Sequence, residues 1–187
     1  MIQGPGLAHP VWLVRHAPTA WTGRRWCGRA DPPLTRAGER LAASVAKRLA
    51  PALPADAIVR SSPARRALGT ATAIAVAAGV TVEVDEQLVE VDVGRIEGWT
   101  WDEVAQREPA LSTTIRSGAP VDWPDGERAS ELEDRARSAA HLVQAISGTR
   151  PLVVVSHGWF LGALATALGR RIASERLAPG DVIRLDP

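Results

Sequence analysis

Short apolar runs and longer stretches with helical spacing follow one another along the chain. Five runs rich in apolar, often β-branched residues predict β-strands, at 11–14, 57–61, 80–84, 151–158 and 181–185. The run "PLVVVSHG" at 151–158 is the most apolar of them. A strand that is apolar at every position is covered on both faces, so we expect it to be central and parallel to its neighbours.

The first helical stretch has a clear start and stop. Thr35 suits the N-cap, and Pro51 ends the pattern. Its apolar positions recur every four residues, at Leu41, Val45 and Leu49. This spacing predicts an amphipathic helix that buries one face.

Further helices are predicted along the chain. One has Ser62 at its N-cap, Pro63 at the first helical position and Gly79 at its C-terminal stop. Residues 101–107 predict a short helix, and residues 129–146 predict a long one with an apolar stripe.

The remaining stretches complete the predicted order of elements. Residues 112–126 are rich in turn formers and predict irregular structure. The stretch after the 151–158 strand predicts a buried helix that ends at Gly169. Strands that alternate with helices favour an α/β fold, a three-layer sandwich with a mostly parallel sheet between helices. We predict a single domain over residues 1–187.

Composition narrows the functional classes. The chain has 22 Lys+Arg against 21 Asp+Glu, a net charge of +1, which argues against a nucleic-acid or membrane partner. Cys27 is the single cysteine, so no internal disulfide can form. The N-terminal residues have no signal-peptide pattern, and no apolar run reaches the ~20 residues of a membrane helix. These features predict a cytoplasmic protein.

Basic residues follow three of the predicted strands. The first ends at Arg15 and His16, the second is followed by Arg65 and Arg66, and the apolar central strand ends at His157 and Gly158. Because the carboxyl ends of parallel strands share one sheet edge, these groups are expected to meet in one crevice. Helix N-termini at that edge add N–H donors. The sequence therefore predicts a phosphate-binding pocket.

A carboxyl group is available for proton transfer. Glu90, Asp92 and Glu97 follow the third predicted strand. A glutamate beside bound phosphate can be held protonated as a general acid, because burial and like-charge repulsion raise its pKa, and the remaining carboxylates of this stretch are expected to shape the loop. Arg65 is expected on a solvated helix face, and Asp31 in a turn.

Four ordered segments resemble a known family. They are "LVRHAPT", "SSPARRALGTA", "LVEVDVGRIEG" and "VVVSHG", and "GRADPPLTRAGERLA" and "PDGERASELEDRA" are also similar to family segments. Together they resemble the histidine phosphatase superfamily, with its phosphoglycerate mutase-like fold, and in particular α-ribazole phosphatase-type enzymes. The resemblance extends from about residue 11 to residue 160.

The resemblance implies a mechanism. His16 would attack phosphorus and form a phosphohistidine, while Arg15, Arg66 and His157 hold the phosphoryl oxygens. Glu90 would protonate the leaving oxygen and then take a proton from water. The arginines would neutralise the phosphate charge, so no metal and no cofactor are expected.

Two positions depart from the family pattern. Ala17 stands where the family usually has Gly, and Thr22 stands where it often has Asn. A methyl group at residue 17 would crowd the phosphate, or strain the turn if that residue needs a positive φ. A threonine hydroxyl reaches less far than an amide.

The chain has seven tryptophans and no tyrosine. Trp12 and Trp159 are expected in the core. The other five lie in or beside loops expected near the phosphate site: Trp21, Trp26, Trp99, Trp101 and Trp123. Trp99 is predicted to contact substrate, as are Thr19, Thr22 and Gly158. Because indole faces stack on rings, these positions favour a small ring-bearing phosphomonoester as substrate.

Several functions stay open at this point. A metal-independent phosphomonoesterase is the leading interpretation, and a phosphoglycerate mutase-type phosphotransferase is the near alternative. A non-catalytic phosphate-binding regulatory domain is a third. A metal hydrolase is not indicated, because the sequence contains no pair of histidines spaced as H-x-x-x-H or H-x-H. The sequence defines neither the physiological substrate nor the quaternary state, and it leaves a homodimer open.

Overall fold

The computed structural model describes residues 6–170 and 177–187 of the chain. Five strands form one sheet: β1 (Val11–Arg15), β2 (Ile58–Ser61), β3 (Val82–Val84), β4 (Leu152–Ser156) and β5 (Val182–Leu185). Their spatial order is β3-β2-β4-β1-β5. β4 pairs in parallel with both β1 and β2, and only the edge strand β5 is antiparallel. The predicted central, parallel position of the most apolar strand is confirmed.

Six α-helices surround the sheet in the described residues. They are α1 (Arg36–Leu49), α2 (Arg65–Ala78), α3 (Trp101–Arg107), α4 (Pro109–Ser117), α5 (Ala129–Ser147) and α6 (Gly158–Ala167). Short 3-10 turns lie at Ala50–Ala52, Glu86–Leu88 and Gly94–Ile96. None of the helices in the described ranges has the length and hydropathy needed to cross a bilayer.

Successive residues of β1 face opposite layers. Val11 and Leu13 belong to the apolar core beneath α5 and α6, and Trp12 and Val14 belong to the core beneath α1 and α2. Strand side chains alternate between the two faces of a sheet, so a sheet covered on both sides needs apolar residues at every position. The predicted three-layer α/β sandwich is therefore confirmed.

The start of α2 differs from the prediction. Its first residue is Arg65, and Ser62 is not its cap. Instead, the Arg65 backbone N–H donates to Asp31 Oδ1 at 2.7 Å, so the cap comes from a residue 34 positions earlier. The Ser62 hydroxyl accepts from the Ala64 N–H at 3.3 Å and lies 2.8 Å from His157 Nε2.

The stretch predicted to be irregular at 112–126 begins inside helix α4. Pro109 occupies the first turn, where its missing N–H costs nothing, and Gly118 ends the helix at φ +71°. No residue of α4 is fully buried. Helix α4 packs mainly against α3, above an apolar cluster that includes Val93 and Val104.

Candidate active site

A cavity of about 570 Å³ opens at the carboxyl edge of the sheet. Arg15 and His16 reach it from the end of β1, and Arg66 reaches it from the first turn of α2. Glu90 and Gly158 complete this part of the lining. The structure thus brings together residues that lie far apart in the sequence, because parallel strands end on the same side.

His16 presents one free ring nitrogen. Its Nδ1 lies 2.7 Å from the Ala17 carbonyl oxygen, which can only accept, so Nδ1 carries the proton. The Nε2 atom therefore keeps its lone pair. Burial, with the positive charges of Arg66 and Arg15, lowers the pKa of His16 to about 3. The imidazole is neutral near pH 7, as a nucleophile must be.

Arg66 is buried and Arg15 is partly buried, and both side chains are only partly paired. Arg66 donates from Nη1 to the Ala30 carbonyl at 2.6 Å and from Nη2 to the Gly28 carbonyl at 3.0 Å. Arg15 donates from Nη1 to the Leu177 carbonyl. The Nε atoms of both side chains are buried and have no partner among the described residues.

His157 lies behind His16 rather than on the cavity surface. Its side chain is completely buried, and the two imidazole centroids are 5.1 Å apart in an edge-to-face arrangement. Its Nε2 is 2.8 Å from the Ser62 hydroxyl, and its Nδ1 has no partner in the described chain. Burial and the charge of Arg66 lower the pKa of His157 well below the usual value.

Three unpaired nitrogens therefore belong to one site: Arg15 Nε, Arg66 Nε and His157 Nδ1. A buried donor without a partner costs about 1–3 kcal/mol. Arginine Nε atoms always carry a proton and cannot accept, so the matching ligand supplies acceptor oxygens and negative charge. A tetrahedral oxyanion such as phosphate meets both requirements.

Glu90 is held at the N-terminus of α6. Its Oε1 accepts from the backbone N–H groups of Val91 at 2.9 Å and Phe160 at 3.0 Å. Within the described residues, its Oε2 accepts only a longer contact of 3.4 Å from the Trp159 N–H. Oε2 is therefore the carboxyl oxygen with more freedom to exchange a proton with a ligand in the cavity.

The two departures from the family pattern have local explanations. Among the described residues Asp125 is the only non-glycine with a positive φ, so the backbone at Ala17 needs no glycine. Ala17 is fully buried and outside the cavity lining. Thr22 Oγ1 accepts from the Thr19 N–H at 2.9 Å, so this hydroxyl shapes the loop, and both threonines line the cavity.

The tryptophans that line the cavity are not the same set as the sequence predicted. Those that line the cavity are Trp21, Trp26, Trp101 and Trp159. Trp99, which was predicted to contact substrate, is not among them. Its ring lies 4.9 Å from the Arg107 guanidinium and packs on the apolar cluster beside the cavity. Trp159, which was predicted to be in the core, borders the cavity because it follows Gly158 in the first turn of α6.

Other polar residues near the site have structural roles. Glu97 accepts from the Ala30 N–H at 2.7 Å, and Asp92 accepts from the Gly94 N–H at 2.9 Å, as the loop-shaping prediction requires. Arg65 is exposed, as predicted. Burial raises the pKa of the Cys27 thiol to about 11, so this cysteine is a poor nucleophile near neutral pH.

Sequence reasoning did not identify every contributor to the site. The carbonyls of Gly28 and Ala30 fix Arg66, and Ile115 and Arg116 from α4 line the cavity. No side-chain chemistry marks a backbone carbonyl, and the apolar face of α4 is limited to Leu111 and Ile115. Within residues 6–170 and 177–187, no group of three or more His, Cys, Asp or Glu side chains is placed to hold a metal ion.

Known proteins resemble this chain over most of its length. A probable phosphoglycerate mutase GpmB of Citrobacter koseri is 40% identical, over 89% of this chain and 78% of that protein. A mycobacterial glucosyl-3-phosphoglycerate phosphatase in complex with VO3 superposes with a TM-score of 0.82 at 25% identity, covering 96% and 91% of the two chains. A phosphoglycerate mutase from Thermus thermophilus gives a TM-score of 0.69 at 29% identity, covering 95% and 92%.

The family model of the histidine phosphatase superfamily, branch 1, matches residues 11–180. That range contains every residue that lines the cavity, including Arg15, His16 and Gly158. The relationship inferred from four short segments is thus confirmed over nearly the entire chain, and the protein belongs to branch 1 of the histidine phosphatase superfamily.

Proposed function

We propose that this protein is a metal-independent phosphomonoesterase that acts through a phosphohistidine on His16. One observation carries the proposal. A neutral imidazole with a free Nε2 lines the same cavity as the guanidinium groups of Arg15 and Arg66 and the carboxyl group of Glu90. A nucleophile, an oxyanion clamp and a proton donor are the groups that phosphoryl transfer through a covalent intermediate requires.

In the first step, His16 Nε2 attacks phosphorus and the bond from phosphorus to the leaving oxygen breaks. Glu90 gives its proton to that oxygen, so an alcohol departs rather than an alkoxide. Arg15 and Arg66 hold phosphoryl oxygens on which charge accumulates, whereas His157, for which the same role was predicted, lies behind His16 and does not line the cavity.

The second step returns the enzyme to its starting state. Glu90, now a carboxylate, removes a proton from water as the water oxygen attacks phosphorus. The bond from phosphorus to His16 Nε2 breaks, and inorganic phosphate leaves. Glu90 has regained its proton, so atoms and charges balance over the cycle.

Hydrolysis is favoured over isomerisation by the short segment between Glu90 and His157. Mutases of this fold usually have a longer insertion there, which shields the phosphoenzyme from water. The named relatives include both mutases and a phosphatase, so their names support either outcome. With its single cysteine, the enzyme fits a reducing compartment, and we place it in the cytoplasm.

We propose a small phosphomonoester with a ring in its leaving group as substrate. Trp21, Trp26, Trp101 and Trp159 line the cavity together with apolar side chains such as Val91. Trp101 is 51% exposed, which is unusual for an indole and leaves its ring free to contact a ligand. The mycobacterial relative is named for a substrate that contains a glucosyl group.

The reaction itself can be tested on the unmodified protein. We expect rapid acid-free quenching with ³²P-labelled substrate to trap an acid-labile, base-stable phosphoenzyme, with the label on His16. Turnover is expected to release inorganic phosphate and to remain unchanged after exhaustive EDTA treatment, because arginines neutralise the phosphate. Activity that is lost with EDTA and restored by a divalent ion would overturn the mechanism, and isomerisation of phosphoglycerate without phosphate release would make the protein a mutase.

The substrate class is tested by a panel of phosphates assayed on two tryptophan variants. Trp101→Ala is expected to lower kcat/KM for sugar and heteroaromatic phosphates about tenfold, because ring stacking is worth ~0.5–1.5 kcal/mol beyond buried area. Trp99→Ala is the matched control, since Trp99 is two residues away and outside the cavity. It is expected to preserve the substrate ranking. Best turnover of an acyclic phosphate, or the same ranking in Trp101→Ala as in the wild type, would refute the ring proposal.

A further inference from the structure

Glu90 lies in a segment without regular secondary structure. Residues 89–93 connect the two 3-10 turns Glu86–Leu88 and Gly94–Ile96, and no strand ladder holds them. A proton donor has to stay within hydrogen-bond reach of the leaving oxygen. Side chains from elsewhere in the chain therefore have to fix this segment.

Arg135 of α5 holds the backbone just before Glu90. Its Nη1 donates to the carbonyl oxygens of Gln87 and Val89, at 2.8 Å each. Its Nε and Nη2 donate to the two carboxylate oxygens of Glu127, both at 2.9 Å. This is the bidentate geometry that gives an arginine–carboxylate pair its directional strength.

Glu127 holds the backbone just after Glu90. Its Oε2 accepts from the Asp92 N–H at 3.2 Å, and its own backbone N–H donates to the Asp92 carbonyl at 2.9 Å. The backbone around Gly94 and the backbone around Gly126 approach each other closely. Both residues have to be glycine there, because a Cβ at either one would collide with the backbone around the other. Arg29 adds a hydrogen bond of 2.8 Å from Nε to the Glu90 carbonyl.

The same guanidinium also supports the residue that holds the Glu90 carboxyl group. The Arg135 guanidinium carbon lies 4.5 Å from the centroid of the Phe160 ring, a cation–π contact. The backbone N–H of Phe160 donates to Glu90 Oε1. Arg135 thus restrains both the main chain next to Glu90 and, through Phe160, the carboxyl group of Glu90.

The pair is partly buried and lies outside the substrate cavity. The side chains of Arg135 and Glu127 are 16% and 9% exposed, and neither lines the cavity. The titratable groups that face the pair include Arg29, whose Nη2 is 3.8 Å from Glu127 Oε2, Glu90 through its backbone, and His157, whose pKa the charge of Arg135 helps to lower. Arg135 and Glu127 do not line the cavity, so an effect on catalysis has to pass through the groups that they hold, and the direct hydrogen bonds lead to the segment around Glu90.

We propose that Arg135 and Glu127 are positioning residues for the proton donor of this enzyme. The proposal rests on the role of Glu90 in the proposed function. A shift of Glu90 by a fraction of an ångström weakens proton transfer to the leaving oxygen, whereas the phosphate clamp of Arg15 and Arg66 is held by other contacts. Loosening the pair therefore slows the step that needs an acid and spares phosphate binding.

The test compares Arg135→Lys with Arg137→Ala, a variant on the exposed side of the same helix. A lysine keeps the charge but cannot hold Glu127 and two carbonyls at once. For alkyl phosphates, Arg135→Lys is expected to lower kcat by ten- to a hundredfold, since misplacement by ~1 Å can cost 10² in rate. For nitrophenyl phosphate the loss is expected to stay within about threefold, with KM and vanadate affinity unchanged. Arg137→Ala, which loses only surface ion pairs, is expected to match the wild type.

A double variant separates this proposal from the proposed function. If Arg135 acts through Glu90, then Arg135→Lys adds no further loss in a Glu90→Gln background. Equal losses for alkyl and nitrophenyl phosphates in Arg135→Lys, or additive losses in the double variant, would overturn the positioning role while leaving Glu90 as the acid. If Glu90→Gln alone shows no leaving-group dependence, the acid role of Glu90 fails and the positioning role fails with it.

Discussion

His16→Ala is expected to abolish turnover, lowering kcat by at least ~10³-fold, which is about 4 kcal/mol of barrier. In other enzymes with a covalent intermediate, removing the nucleophile costs as much as ~10⁶. The variant is nevertheless expected to bind vanadate within about tenfold of the wild-type affinity, because charged donors from Arg15 and Arg66 remain. Single-turnover assays give the rate, and vanadate titration gives the affinity.

The matched control for this variant is His141→Ala, which removes an exposed histidine from α5. It is expected to leave both rate and affinity unchanged. Far-UV circular dichroism establishes that both variants are folded. A kcat for His16→Ala within tenfold of the wild type would show that phosphorus is attacked by another group, and loss of vanadate binding together with activity would point to a collapsed site.

Glu90→Gln is expected to lower the rate of hydrolysis most for substrates whose leaving groups are strongly basic. General acid catalysis contributes ~10²–10⁴ in rate, and it matters when the departing oxygen is basic. Alkyl phosphates should therefore lose most of that factor, whereas nitrophenyl phosphate should lose less than about tenfold. Glutamine keeps an oxygen that accepts from the Phe160 and Val91 N–H groups, so the N-terminus of α6 remains capped.

The measurement for Glu90→Gln is kcat/KM across a series of phosphates with leaving groups of increasing pKa. The slope of the logarithmic plot is expected to be steeper in the variant than in the wild type. Glu131→Gln, at the exposed start of α5, should give the wild-type slope. Parallel plots for Glu90→Gln and the wild type would remove Glu90 from the role of leaving-group acid.

The layered arrangement of helices and sheet could be predicted because the pattern of apolar residues along each strand is a local feature of the sequence. A strand that is apolar on both faces has to lie inside a covered sheet, and β4 does. The meeting of Arg15, His16 and Arg66 in one cavity also followed from sequence, since parallel strands place their ends on one edge. Their roles in catalysis stay predictions until the variants are measured.

Other features depend on contacts that no local pattern contains. Asp31 caps α2 from 34 residues away, and Arg135 reaches Gln87 across 48 residues. The prediction that Trp99 contacts substrate was wrong for a similar reason. Trp99 packs on the apolar cluster, whereas Trp101, two residues later, lines the cavity. Only the packing of the folded chain decides which of the two rings faces the cavity. Helix α4 was missed because it is short and its apolar face consists of only two partly buried residues, Leu111 and Ile115.

The crowded indoles beside the cavity also give the protein a built-in optical signal. The Trp26 ring lies 4.2 Å from that of Trp101 and 6.3 Å from that of Trp159, and Trp159 lies 5.2 Å from Trp123. At such separations excitation passes readily from ring to ring, and the chain has no tyrosine to add a second emitter. Because four of the seven tryptophans line the cavity, a bound ligand is expected to change the intrinsic fluorescence of the protein without any added label.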